Sequence, residues 1–467
     1  MRFQMASAEW LWLRKTLLFL ICLGSGFAYG QSKQPSNSAP CRVDAVDYKG
    51  WHAQQMSNQW VQLTFIPQNG GRLIQFAFNG HPYLFVNPKY AGQYFPPTSK
   101  QWFNYGGDKI WLLPEGNDDE QHWVGNSDVI DDGQFTFRKI SEGQHCEVEM
   151  TGPSDPQTGV QFSRTIHLDP DSPNVRFHST MKNVTGHSLE WSMQSVSQYD
   201  TSDSAAQSRI NPNFWAFTPA NPSSSYLNRY HVRYGPAQNS AVAVRDDGLF
   251  ALHYVHMAAE LWIDSNAGWL AVLDGVTKYA MVERFQFDEN KPYPGKASVI
   301  FWTNGSGLQL NSDGEPVLRA DEEGKPPFYM EAELNSPLCR LRAGQSCDFE
   351  TEWFPARAEG EVHGVVDAGI LVKPLHASRM ENGKITVTGS FGVFFPGHLL
   401  VRLYDQQGAS LGTIPGADVT PTELVTLQTE LSADAKAARV SLHLLDTNGV
   451  DRGSLGEVPV SATEKLK

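Results

Sequence analysis

The stretch Phe328-Tyr329-Met330-Glu331-Ala332-Glu333-Leu334-Asn335-Ser336-Pro337, followed by the turn Arg342-Ala343-Gly344-Gln345, decides how this chain is read. Its bounding turn residues predict an extended strand, and in a strand successive side chains face opposite ways. Tyr329, Glu331 and Glu333 then share one face, while Met330, Ala332 and Leu334 take the other. Neighbouring carboxylates repel, so the face must be wet or one carboxyl must hold its proton more tightly than usual, which suits acid–base work. A plain solvated strand face would show the same pattern.

Working outward, period-two patterns dominate from residue 59. Val61, Leu63 and Phe65 alternate, as do Ile74, Phe76 and Phe78, then Val160, Phe162, Ile166 and Leu168, and then Leu189, Trp191 and Met193. With 40 Gly and 28 Pro supplying dense turn signals and no sustained helical period, the chain is predicted to be all-β. Residues 200–248 turn to Ser, Asn and Pro with isolated aromatics, which predicts one long loop decorating the end of a sandwich. Past Glu359-Gly360-Glu361, evenly spaced short strands predict a separate immunoglobulin-like β-sandwich at 365–467, with no catalytic cluster and a spacer or protein-docking role.

Residues 1–30 have the layout of a secretory signal: Arg14 and Lys15, an apolar run too short to span a bilayer, then Ala28-Tyr29-Gly30. The mature protein is therefore expected to be periplasmic or secreted, with no membrane insertion after cleavage. The formal charge is −14, and removing Arg2, Arg14, Lys15 and Glu9 takes away a net +2 to leave −16. That balance argues against nucleic acid as a partner. Four cysteines remain, and in an oxidising compartment they read as two disulfides. Cys339 and Cys347 flank Ala343 symmetrically, as a hairpin would place them, leaving Cys41 with Cys146.

Six segments in order resemble a bacterial family of the galactose-mutarotase-like superfamily. They are Gln68-Asn69-Gly70-Gly71-Arg72-Leu73, then Asn104-Tyr105-Gly106-Gly107-Asp108-Lys109-Ile110-Trp111 with Pro114-Glu115, then Gly159-Val160-Gln161-Phe162-Ser163-Arg164. Residues 183–198, Gly268-Trp269-Leu270-Ala271, and the Glu331 segment with residues 341–346 complete the set. The resemblance spans roughly residues 55–355 and implies a β-supersandwich over 31–358 whose concave sheet binds a sugar. It further implies aldose 1-epimerase chemistry, in which a late Glu takes the anomeric proton and a His on a central strand protonates the ring oxygen.

Glu331 matches the late Glu best, with Glu333 in the neighbouring register. The central strand departs from the pattern: Gln194 and Gln198 stand where the His is expected, and an amide donates hydrogen bonds without delivering a proton. His122 is the alternative acid, or else a surface loop histidine. Arg72 is a candidate fork for a sugar carboxylate or a structural partner of Glu115 or a loop carbonyl. Asn104, Lys109, Trp111 and Glu115 surround the Gly106-Gly107 turn as candidate ligand contacts, or as an ordinary ion pair at a sheet edge. Trp191 and Trp302 fall in alternating strands and are assigned to the core, whereas Trp215 in the polar stretch is the expected aromatic ligand contact.

No metal-binding, nucleotide-binding or nucleophile-elbow pattern is present, so no cofactor is expected. The acidic turns Asp118-Asp119-Glu120 and Asp131-Asp132 are the one place that suggests calcium. The competing functions are polysaccharide cleavage, which needs two carboxyls across a bond with Glu115 as the partner of the Glu331 pair, and a non-catalytic accessory role.

Overall fold

The alternation that dictates strands is carried through to burial. Val160–Leu168 alternates buried and half-buried side chains without a break, and Val175–Asn183 does nearly the same. The computed structural model describes residues 40–97, 102–114, 128–312 and 315–462. In chain order the elements that position the site are β1 (Arg72–Phe78), β2 (Asp108–Leu113), the short helix α1 (Asp128–Asp132) and β3 (Val160–Leu168). They continue as β4 (Leu189–Asp200), β5 (Ala259–Ile263), β6 (Tyr279–Phe285), β7 (Val299–Thr303), β8 (Tyr329–Asn335) and β9 (Ser346–Arg357).

Two large sheets stack face to face. The first has twelve strands, and its centre runs β1-β2-β4-β8-β7-β5; the second has ten and contains β6, β9 and β3. Neighbours through both centres are antiparallel. Met330, Ala332 and Leu334 of β8 are fully buried between the sheets, in one cluster with Met193, Phe301, Met281 and Trp353. Phe76 of the first sheet packs against Trp353 of the second, ring centroids 5.7 Å apart. Cys41 is bonded to Cys146, which ties the edge of the first sheet to the second, and Cys339 is bonded to Cys347.

Residues 200–248 are not one loop. They contain the strands Phe214–Pro219, inside the second sheet, and His231–Tyr234 and Val242–Val244, at the edges of the first and second sheets. Strands from Gly364–Val366 to Asp451–Ser461 form a further eight-stranded sheet with its own core. That sheet is not tethered loosely. Ile370, Val372 and Phe394 share an apolar cluster with Phe217, Ala271, Val282 and Phe354 on the outer side of the second sheet. Arg284 lies over the Phe354 and Phe394 rings and donates to the Val366 carbonyl at 2.5 Å. No helix among the described residues is long and apolar enough to cross a membrane.

The space between the two large sheets also contains charge. Arg164 of β3 is hydrogen-bonded to Asp108 of β2, and Ser195 and Ser197 of β4 donate to the other Asp108 oxygen. Tyr199 of β4 donates to Glu283 of β6 at 2.5 Å. Burial pushes the Glu283 carboxyl up to about 8, and nearby Asp108 pushes the same way against the Tyr199 hydrogen bond and Arg164. Glu283 is therefore largely protonated in the folded protein at neutral pH, whereas unfolded it ionises near 4.5.

A carboxyl raised on folding stabilises most below its unfolded pKa, and that contribution is lost as pH rises through the folded one. Folding stability should accordingly fall between about pH 4.5 and about pH 8. Glu283→Gln should remove a part of that slope worth on the order of a few kcal/mol. Urea denaturation of both proteins at the two ends of this window checks it, and parallel profiles would contradict it.

Candidate functional site

Antiparallel pairing decides which side chains meet, because residues directly opposite one another share a face. Strand β8 lies between β4 and β7 in a register that sets Gln198, Glu331 and Trp302 in one row. Glu260 of β5 continues that row. A second row runs from Lys109 of β2 through Val196, Glu333 and Ile300 to Trp262. The face opposite the core therefore presents carboxyls and indoles side by side.

They line a hollow of about 420 Å³, walled by Trp102, Trp111, Trp262 and Trp302 with Tyr329, and floored by Gln194, Glu331 and Glu333. This volume is in the range of small-molecule sites. Each acid is held by an amide from β4. Gln198 Nε2 donates to Glu331 Oε1 at 2.5 Å, and Gln194 Nε2 donates to Glu333. Glu331 is half-buried and Glu333 buried, and their carboxyls are in hydrogen-bond contact with each other. Burial pushes Glu331 above the ordinary carboxyl range, while Lys109 and the hydrogen bonds from Gln198 and to Glu333 draw it partway back. Two carboxyls in contact, one with a raised affinity for protons, are equipped to share and exchange one proton.

Behind the hollow stands a buried ionic cluster that the sequence did not announce. Asp131, on α1, accepts from Arg72 at 2.6 Å and from Lys109 at 2.7 Å through one oxygen, and from Trp102 Nε1 at 2.7 Å through the other. The Lys109 ammonium also sits 3.5 Å from the Trp111 ring centroid. Burial alone would raise Asp131, but Lys109 and Arg72 outweigh it and hold the carboxyl below its usual range. Burial likewise lowers Lys109, against the pull of Asp131. Through these contacts Asp131 fixes two indole walls of the hollow.

The structure thus brings Glu331, Glu333, Gln194, Gln198, Lys109 and Trp111 to one place. Others fall elsewhere. Arg72 is 1% exposed and bonded to Asp131 and the Gly106 carbonyl, so the ligand-facing reading gives way to the structural one. The Gly106-Gly107 turn serves backbone packing: both glycines have positive φ, and a Cβ at either would stand 2.1 Å from Phe85 O or 2.6 Å from Leu73 O. Asn104 caps that turn through its side-chain oxygen and borders a neighbouring hollow.

Trp215 is on the second sheet, stacked on Phe217 and tilted against His253, and packs on the apolar cluster shared with the C-terminal sheet rather than on β8. Trp302, assigned to the core, is instead in the row with Glu331. His122 and Glu115 lie outside the described residues, as do Asp118-Asp119-Glu120. Asp131 is committed to cations, and no cluster of three His, Cys, Asp or Glu among the described residues is placed to hold a metal ion. Asp131 was findable only in part, since its acidic pair stood out in sequence but its partner Arg72 is 59 residues away.

No family model matches the chain, and no curated protein matches it. Among solved structures, the chain is similar to a TPR-domain containing protein from Parabacteroides distasonis, at 12% identity and a TM-score of 0.46. That match covers 68% of this chain and 49% of the other, about half its length. It is similar also to a galactose mutarotase-like protein from Lactobacillus casei, at 8% identity and a TM-score of 0.41, over 65% of this chain and 99% of that one. A galactose mutarotase-like protein from Clostridium acetobutylicum gives 9% identity and a TM-score of 0.40, over 68% and 99%. The architecture itself rests on the two sheets described above.

The ionic cluster makes a direct prediction. Asp131→Ala leaves two buried cations without a counter-charge, which should destabilise the fold by about 3–5 kcal/mol. Chemical denaturation measures the loss; a change below about 1 kcal/mol would show that the cluster is not the support described.

Proposed function

We propose that the protein binds a carbohydrate in the hollow over β8, and that Glu331 and Glu333 act on it by acid–base chemistry of the aldose 1-epimerase type. The observation that carries this reading is a pair of touching carboxyls, each clamped by a glutamine amide, in a recess walled by four indoles. A pyranose has an apolar face that packs on an indole and a hydroxyl rim that hydrogen-bonds carboxylates. Both surfaces are supplied here within one recess.

The chemistry follows from the proton inventory. Opening a cyclic sugar requires removal of the anomeric hydroxyl proton and delivery of one to the ring oxygen. Burial raises the proton affinity of Glu331, which makes it the member of the pair suited to hold and deliver a proton, and the adjacent carboxyl of Glu333 is the acceptor. Recyclisation on the other face of the carbonyl, with the proton transfers reversed, yields the other anomer. Gln194 and Gln198 orient the two acids and transfer no proton. Export to an oxidising compartment, also part of the proposal, is supported by the two disulfides.

One observation favours a second reading, polysaccharide cleavage. Glu260 and Glu331 share a row with Trp302 between them, which sets their backbones two strands or about 9.5 Å apart. Hydrolysis needs a carboxyl on either side of the bond, and these two residues flank one indole and both border the hollow.

Polarimetry of freshly dissolved free aldoses tests the leading reading. The wild type should accelerate anomer equilibration for at least one of them, and Glu331→Gln should slow it by about 10²-fold or more. If sugars bind but equilibrate at the uncatalysed rate, the epimerase chemistry falls and binding remains. Reducing-end release from a polysaccharide, abolished by Glu260→Gln, would establish the second reading instead.

A further inference from the structure

The hollow over β8 does not end at Tyr329. Trp102, Asn304 and Tyr329 also border a second and larger hollow, of about 1070 Å³, so that the two lie side by side and share these residues. The second hollow is lined by Phe85 and Phe328, and the Phe85 ring stacks on that of Tyr329, which borders both hollows, at 5.1 Å. Its volume is at the upper end of single-ligand sites. A single sugar ring fills neither the length nor the volume of the pair.

Charge changes sign between the two hollows. Among the described residues the first part carries Glu260, Glu331 and Glu333 with one cation, Arg233, whereas the second is rimmed by Lys49, Lys89 and Arg209 with the carboxylate Asp200. All three rim cations are exposed. In a chain of net charge −14 a locally positive rim is a marked inversion.

We propose that the ligand is an acidic oligosaccharide, lying through both hollows with at least one anionic group among Lys49, Lys89 and Arg209 and a sugar ring over Glu331 and Glu333. This deepens the sugar reading of the first hollow and rests on it. The opposite signs at the two ends fix orientation: an anionic group is attracted to the lysine and arginine end and repelled from the glutamate end. Carboxylate and sulfate share this chemistry, and the test separates them.

Isothermal titration of the whole protein would use tetrasaccharides of uronic acids, their methyl esters, sulfated tetrasaccharides and their desulfated forms, and the corresponding monosaccharides. One acidic class should bind at least about tenfold tighter than its neutralised counterpart and than the monosaccharide, with affinity falling as salt is raised. Lys89→Ala combined with Arg209→Ala should erase that preference while leaving the neutral tetrasaccharide unchanged. Both positions are exposed and remote from the core, so the variant tests charge rather than folding. Acidic and neutral tetrasaccharides binding alike, or an acid preference that survives replacement of all three cations, would overturn the proposal and leave the sugar site standing. If no saccharide of any kind binds, the sugar reading falls and the proposal falls with it.

Discussion

The register of β8 between β4 and β7 is the constraint on which everything else depends. Side chains in a sheet alternate with a period of two, so slipping β8 by one residue would turn Glu331 and Glu333 into the core and Met330, Ala332 and Leu334 out of it. Two carboxyls in the place of fully buried apolar side chains would be prohibitive, and register is therefore strongly specified by the chain's own chemistry. The same pairing that buries Met330 aligns Gln198, Glu331 and Trp302 across three strands. Fold stability and site geometry are here one arrangement.

Support comes from polar groups placed where neither sheet can shed them. Asp131 gathers Arg72, Lys109 and Trp102, and the Arg164–Asp108 pair with Tyr199–Glu283 bridges the two sheets. Such groups are costly to bury and costlier to break apart, which restricts the alternatives open to the Trp102 segment and to β2, which carries Trp111. The C-terminal sheet packs on the far side of the second sheet. It leaves the face bearing the hollow to the first sheet.

Local periodicity made much of this legible. The alternation in 329–334 is complete within six residues, and it told which side chains of β8 share a face. Trp302 shows the limit of the same signal: alternation says that two faces exist, but which one meets the core depends on a partner sheet far away in sequence. Asp131 was hidden for a related reason, since its role exists only once α1 approaches β1 and β2. Residues 200–248 misled because strands of three to six residues, such as Val242–Val244, are too short to show a period. Trp215, placed in a loop on that reading, belongs to the second sheet and its outer packing.

The recess bounded by Glu331, Glu333 and Trp302 is where a bound sugar must sit. The most direct measurement is a crystal structure of the protein soaked with a saccharide that it binds in solution. A sugar ring should lie against the Trp302 indole with hydroxyls in hydrogen-bond reach of both carboxyls. A saccharide seated on another surface, with this recess empty at saturating concentration, would contradict it.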